Sequence, residues 1–310
     1  MNVKKFRFLL LVVAVACSQI VFAQDDLLSL VDSKKDKKKE FVTGAFKSSR
    51  VINGHSMDFI GKGQMDVRIL HRFGLVNSGF SNLFGLDQAN MRFGFDFGIS
   101  KNLTIGMGRS NVGKEWDGFI KYRPLHQSTG GRGSSPISIV LITGSTISTT
   151  PWADPNRKNF FTSRMAFYNE IIIGRKFNKN FSLQIAPTHV HLNLVDYNIY
   201  SNDIFAMGVG ARYKLSKRTA FVVDYHYILR MSTEGEDGSA SVANAQFKNM
   251  KNPLSIGFDV ETGGHVFQLH FSNATGMNEK AFITNTTNSW EKTEIRFGFN
   301  LSRMFTVGKK

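Results

Sequence analysis

Residues 91–109 read MRFGFDFGISKNLTIGMGR, two arms about a tight turn. In the first arm Met91, Phe93, Phe95, Phe97 and Ile99 alternate with Arg92, Gly94, Asp96 and Gly98, a period of two that a β-strand turns into two faces. Past Ser100, Lys101 and Asn102 the second arm sets Leu103, Ile105 and Met107 against Thr104, Gly106 and Gly108. One face is bulky and apolar, and the other holds charge and glycine. A soluble sheet whose apolar row meets a core has no need of glycine in the row that meets water. A transmembrane β-barrel reverses the sidedness: lipid takes the apolar row and a polar or narrow interior takes the rest.

Outward from this hairpin the pattern predicts a closed antiparallel barrel of about twelve strands between residues 64 and 305. Met65 to Phe73 sets Met65, Val67, Ile69 and Phe73 against Asp66, Arg68 and Arg72. Further strands are expected at Trp116–Arg123, Arg164–Ile173, Phe181–Leu192, Phe205–Leu215, Phe221–Leu229, Leu254–Glu261, Phe267–Ser272 and Ile295–Phe305. Ile137–Ile147 is the most apolar arm and its facing is ambiguous, and Pro187 is expected to weaken the far end of its strand. Long connections near 74–88, 148–162, 193–203, 230–252 and 275–290 alternate with the short SKN, NKN, LSKR and TGG, as when one end faces the exterior and the other the periplasm. Residues 124–135 are long for a periplasmic turn and 111–115 short for an external loop. A soluble β-sandwich is the competing architecture.

The N-terminus, MNVKKFRFLLLVVAVACSQIVFA, has a basic head, an apolar middle and a small final residue, and is expected to be a secretory signal peptide over residues 1–23, cleaved after Ala23. A lipoprotein signal with Cys17 as the modified residue is the alternative. Cleavage removes three basic residues from a formal +15, leaving +12, together with the one cysteine, so a disulfide framework is excluded. No apolar run of helical spanning length remains, and a membrane protein of this sequence must be a closed barrel. Residues 24–63 form a charged lead segment and an arm that is either periplasmic or inserted in the lumen.

Four blocks carry a family resemblance: FKSSRVINGHS at 46–56, GKGQMDVRILHRFG at 61–74, LFGLDQAN at 83–90 and GGHVFQLHFSNATGM at 263–277. With them the chain resembles the outer-membrane β-barrel family known as domain of unknown function 5777. The resemblance implies an outer-membrane barrel of a Gram-negative bacterium and implies no activity.

The inward row is expected to carry nine basic residues, Arg68, Arg72, Arg92, Lys121, Arg123, Arg164, Arg212, Lys214 and Arg296, against eight acids, Asp66, Asp96, Asp117, Glu170, Asp224, Asp259, Glu261 and Glu294. Near balance of sign predicts paired charges, because an unpaired ion in a poorly hydrated lumen costs several kcal/mol. That interior is either an ion-paired filling or a narrow channel, and its arginines would meet anionic solutes if it conducts. Basic residues at short turns, Lys101, Lys176, Lys179, Lys217 and Arg218 with Lys309 and Lys310, suit anionic lipid headgroups. Nucleic acid is a poor partner for a secreted chain with dispersed bases.

His270, Ser272 and Asn273 in LHFSN have the spacing of a base and nucleophile on one strand face, similar to the local motif of outer-membrane phospholipases. Their expected outward neighbours are Phe267, Leu269 and Phe271, so the pair would face the lumen. His189 and His191, with Asp196 nearby, have strand-borne metal-site spacing but give two ligands, and a polar girdle near the rim explains them as well. Asp154 and Asn156 are weak Ca²⁺ ligands without EF-hand spacing. No cofactor is implied. The function expected is a narrow channel or transporter for small or apolar molecules. The alternatives are a barrel that anchors periplasmic partners through residues 24–62, and a lipid hydrolase using His270 and Ser272.

Overall fold

The computed structural model describes residues 38–152, 154–195, 201–230 and 247–308. The expected signal peptide with Cys17, the segment 24–37, Asp196, Lys309 and Lys310 lie outside the described residues. Twelve long strands form the wall: β1 (Gln64–Leu75), β2 (Ala89–Ser100), β3 (Leu103–Ser110), β4 (Glu115–Leu125), β5 (Ser138–Ser148), β6 (Met165–Lys176), β7 (Phe181–Leu192), β8 (Asp203–Lys214), β9 (Thr219–Leu229), β10 (Leu254–Thr262), β11 (His265–Ser272) and β12 (Arg296–Thr306). Each pairs antiparallel with its neighbours in chain order, and β12 closes on β1 with Leu301 opposite Ile69 and Ser302 opposite Arg68. Closure leaves no strand edge unpaired, which hydrocarbon requires.

The 91–109 hairpin is β2 and β3, with Phe95 opposite Met107 and Phe97 opposite Ile105. Phe93, Phe95, Ile105 and Met107 are exposed on the outer surface while Arg92 and Asp96 are buried in the interior. The outer row continues around the barrel as a band of rings, in which Phe297 stacks on Phe73 at 5.7 Å and Phe299 on His71 at 5.0 Å. Glycine in the inner row has a packing reason. A Cβ on Gly98 would stand 2.1 Å from the Gly61 carbonyl, and one on Gly108 would stand 2.3 Å from the Arg92 guanidinium.

The sidedness rule is diluted over nearly half the circumference. On β5 to β9 the inward row sets apolar residues among its polar ones: Val140, Ile142, Ile172, Val190, Ile204 and Ile228 are all buried inside, beside Glu170, Gln184, Arg212 and Asp224. This resolves the facing of β5, which is apolar on both sides because lipid lies outside it and a dry interior within. Against this half pack Phe46, Val51 and Met57 from the arm and Phe282 and Ile283 from a short helix, α1 (Glu279–Thr284), in the β11–β12 connection. Each such side chain contributes about 1.5–3 kcal/mol on burial.

One expectation about the wall needs correction. Strand β7 does not weaken at Pro187 but runs on to Leu192, with Pro187 opposite Met207 of β8. Its missing N–H acts on the other side, where pairing with β6 lapses between Glu170–Thr188 and Ile173–Ile185. The stretch 124–135, long for a periplasmic turn, has work to do there: its Ser128 and Thr129 pair with Phe41 and Glu40 of the arm, and Val42 N–H donates to the Gln127 carbonyl at 2.9 Å. Its length seats the arm.

Candidate functional site

The lumen is where the polar side chains converge, and the arm occupies it. Residues 49–56 make a tight reversal, with Ser56 N–H on the Ser49 carbonyl and Val51 N–H on the Gly54 carbonyl, each at 2.9 Å. The tip rests on Asp224 of β9, whose Oδ2 accepts the backbone N–H groups of Ile52 at 3.3 Å, Asn53 at 2.7 Å and Gly54 at 2.9 Å. The other Asp224 oxygen lies 3.0 Å from His226 Nε2. Gly54 suits this close approach, because a Cβ would stand 3.0 Å from His226 Nε2 and press on that ring.

Wall side chains from all round the barrel reach the arm backbone. Gln184 of β7 donates to the His55 carbonyl at 2.6 Å and accepts from Met57 N–H at 2.9 Å. Gln268 of β11 donates to the Val51 carbonyl at 2.6 Å and Asn300 of β12 to the Ile52 carbonyl at 2.9 Å. Lys121 of β4 donates to the carbonyls of Asp58 at 2.6 Å and Ser49 at 3.3 Å. Arg72 donates to the Asn53 side-chain oxygen at 2.6 Å, and Arg68 to Ser49 Oγ at 2.9 Å, which in turn donates to Asp96 at 3.0 Å.

From the opposite end α1 descends into the lumen. Asn278 caps it by accepting Ala281 N–H at 2.8 Å, and Asn278 and Lys280 both donate to Glu115 of β4. Its Glu279 forms a buried ion pair with Arg50 of the arm, both side chains 1% exposed, and His55 Nε2 lies 3.4 Å from the same carboxylate. Burial, the largest single influence, would lower the Arg50 pKa, but the surrounding groups together, Glu279 foremost among them and Asp96 included, outweigh it and hold the guanidinium charged. Burial, then Arg50 and Lys121, push the His55 pKa well below the ordinary histidine value, so its imidazole is neutral.

Of the residues expected inside, Arg68, Arg72, Arg92, Asp96, Glu170, Arg212, Asp224 and Asp259 are all buried in the interior. Arg92 forms a two-pronged pair with Asp117, and Arg212 lies 3.7 Å from Asp259. Glu170 has no hydrogen-bond partner for either oxygen. Arg296 is half-buried at the first position of β12 and donates to the Phe73 carbonyl at 3.3 Å. Arg164 does not join the lumenal row, because it precedes β6 in the turn Phe161–Arg164. It stacks on Trp152 at 3.9 Å and donates to the Ser148 and Thr150 carbonyls.

His270 and Ser272 share the inner face but do not meet. Ser272 Oγ accepts from Ser255 at 2.7 Å and from Ala274 N–H at 3.0 Å, while His270 Nδ1 lies 3.2 Å from the Gln268 carbonyl. Asn273 is spent on the backbone of Asn252, Leu254 and Asn288. No base–nucleophile pair is assembled. His189 and His191 sit on the outer face, where both meet Asp203 Oδ1, at 2.7 and 2.8 Å. Among the described residues no group of three or more His, Cys, Asp or Glu is arranged to hold a metal ion. Asp154 accepts Asn156 N–H at 3.0 Å in a local turn.

The sequence pattern did not expose Ser49, Arg50, Asn53 and His55, which have neither strand nor helix periodicity, nor Glu279. A signal for the arm's reversal existed in its Asn53-Gly54 pair, a turn signature.

No curated protein matches the chain. Among solved structures, the NanC porin is similar with 9% identity and a TM-score of 0.46, covering 78% of this chain and 98% of its own. An outer-membrane channel from Pseudomonas putida F1 shows 10% identity, a TM-score of 0.41 and coverage of 81% and 98%. The outer-membrane phospholipase A of Escherichia coli shows 12%, 0.40, and 82% and 96%. A family model described as a membrane bound beta barrel domain matches residues 46–305, from the first buried aromatic of the arm to the last strand. Arm and wall are thus matched as one unit, and the chain belongs to the family of membrane-bound β-barrel domains called domain of unknown function 5777.

Proposed function

We propose that this barrel is an outer-membrane channel for small solutes, held closed by its own N-terminal arm and by α1. The observation that carries the reading is how the arm is held. The wall grips it through side chains of Asp224, Gln184, Gln268, Asn300 and Lys121 on backbone N–H and carbonyl groups. A filling needed only for stability is made most simply of apolar side chains. Hydrogen bonds, each worth about 0.5–1.5 kcal/mol net, can be exchanged for water one at a time as a segment withdraws. The arm enters from the end of short turns, which this reading places in the periplasm.

The test is single-barrel conductance in planar bilayers. The full mature chain should be silent or open rarely, and deletion of residues 41–62 should give sustained conductance. Replacing Asn53 and Ser255, whose side chains hydrogen-bond at 2.9 Å, by cysteines and joining them with a short bis-methanethiosulfonate, each thiolate displacing one methanesulfinate, should abolish residual openings. A deletion variant that folds but never conducts would leave the anchoring barrel as the better reading.

A further inference from the structure

The end of the barrel where the arm enters holds a pocket of about 740 Å³, a volume suited to a small organic molecule. The arm forms one side of it with Lys39, Phe41, Lys47 and Phe59, and the wall forms the other with Lys101 and Arg123. Neither proposed channel function nor family membership uses these residues.

Cations outnumber carboxylates in its lining, Lys39, Lys47, Lys101 and Arg123 against Asp58 and Asp66. Asp58 accepts Phe46 N–H and lies within electrostatic reach of Arg123, and Asp66 accepts the Ser302 hydroxyl at 2.6 Å. Among the cations Lys47 pairs with Glu261 at 2.8 Å and Lys39 donates to the Gly133 carbonyl at 2.7 Å. Arg123 is braced over the Phe59 ring at 4.4 Å, with Nη2 on the Lys101 carbonyl at 2.6 Å and Nε on Asn102 at 3.3 Å. That bracing uses two of its five donors and aims the rest from a fixed position. The Lys101 ammonium has no partner among the described residues. Beside them Phe41 and His126 lie stacked, rings 4.9 Å apart and 14° from parallel, a flat apolar wall.

We infer that this pocket binds an organic anion, a carboxylate or phosphate carried on a flat apolar body, with the anionic group between Arg123 and Lys101 and the body against Phe41 and His126. Two cations, one pre-oriented by its own hydrogen bonds, suit an oxyanion, and the ring pair supplies the apolar contact. Because the lining includes the arm, an occupant bridges arm and wall. Binding does not need conduction, so failure here and failure of the channel reading are read separately.

The experiment is calorimetric titration of the full mature chain in phosphatidylcholine nanodiscs with 2-naphthoate, 2-naphthamide and inorganic phosphate. Naphthoate should bind, and the uncharged amide and free phosphate should each bind at least about tenfold more weakly, reflecting loss of the charged contact or of the apolar body. Lys101→Gln, at an exposed turn, should weaken naphthoate about tenfold, while Lys179→Gln on another short turn leaves it unchanged. Competition by phosphatidylglycerol added to the nanodiscs would identify a lipid headgroup as the source of the same anion. The inference is overturned if folded wild-type protein binds amide and carboxylate equally, or if Lys101→Gln and Arg123→Gln both bind naphthoate as wild type does.

Discussion

Asp224 is the residue on which the closed arm turns. One carboxylate oxygen takes three successive backbone N–H groups of the arm, the arrangement in which a charged acceptor is worth most. Replacing it by Ala removes the charge and leaves those donors buried without an acceptor, at about 1–3 kcal/mol for each group left unpaired. Asp224→Ala is therefore expected to raise protease cleavage between residues 41 and 62 at least about tenfold while the barrel stays intact, read as fragment sizes after limited digestion. His55 makes the complementary prediction in pH. Its folded pKa is depressed by burial and by Arg50, Lys121, Arg68 and Arg92 around it, with Glu279 and Tyr168 the other polar groups it faces. A depressed histidine favours the closed state above its unfolded pKa, about 6.5, and that contribution is lost as pH falls toward the folded pKa. Arm cleavage should thus increase in mild acid, and His55→Gln should flatten that increase; an identical acid response in the variant would assign it to carboxylates instead.

At the scale of elements, arm and α1 enter the lumen from opposite ends and are joined by Arg50 and Glu279. Removing one member of a buried pair strands a charge and costs about 3–5 kcal/mol, whereas replacing both by apolar side chains is often neutral. Glu279→Gln is accordingly expected to loosen the arm and open the barrel in bilayers, and Arg50→Met combined with Glu279→Leu to restore closure; a double variant as open as the single would argue against the latch. The sequence explains unevenly how these elements arise. Strands β1, β2, β3, β8 and β12 were legible because lipid outside and polar groups inside write a period of two into them. Strand β5 was ambiguous because Val140 and Ile142 face an interior as dry as the lipid that Leu141 faces. Arg164 follows the parity of the inward row but ends in a loop, since alternation alone does not say where pairing stops. The arm was legible only as a segment that is either periplasmic or lumenal: it has neither strand nor helix periodicity, and its burial depends on wall residues more than a hundred positions away, such as Asp224 and Asn300.

At the scale of the whole molecule, wall and filling are separable in their forces. Each strand is hydrogen-bonded to a neighbour on both sides, and the ring closes through β12 and β1 with no arm residue in any of its ladders. The arm instead contributes burial, chiefly Phe46, Val51, Ile52, Met57 and Ile60, which transfer values place at about 1.5–3 kcal/mol each as an upper bound. A barrel lacking residues 41–62 should therefore still close, because hydrocarbon penalises any open edge by several kcal/mol for every unpaired backbone group. It should also be less stable, because β5 to β9 then present Val140, Ile172, Val190 and Ile204 to water. The expected outcome is a deletion variant that keeps heat-modifiable gel migration at room temperature but converts to the unfolded band at a lower temperature than the full chain. Failure to show any compact band would make the arm part of the scaffold, and a segment the wall cannot do without is a poor gate.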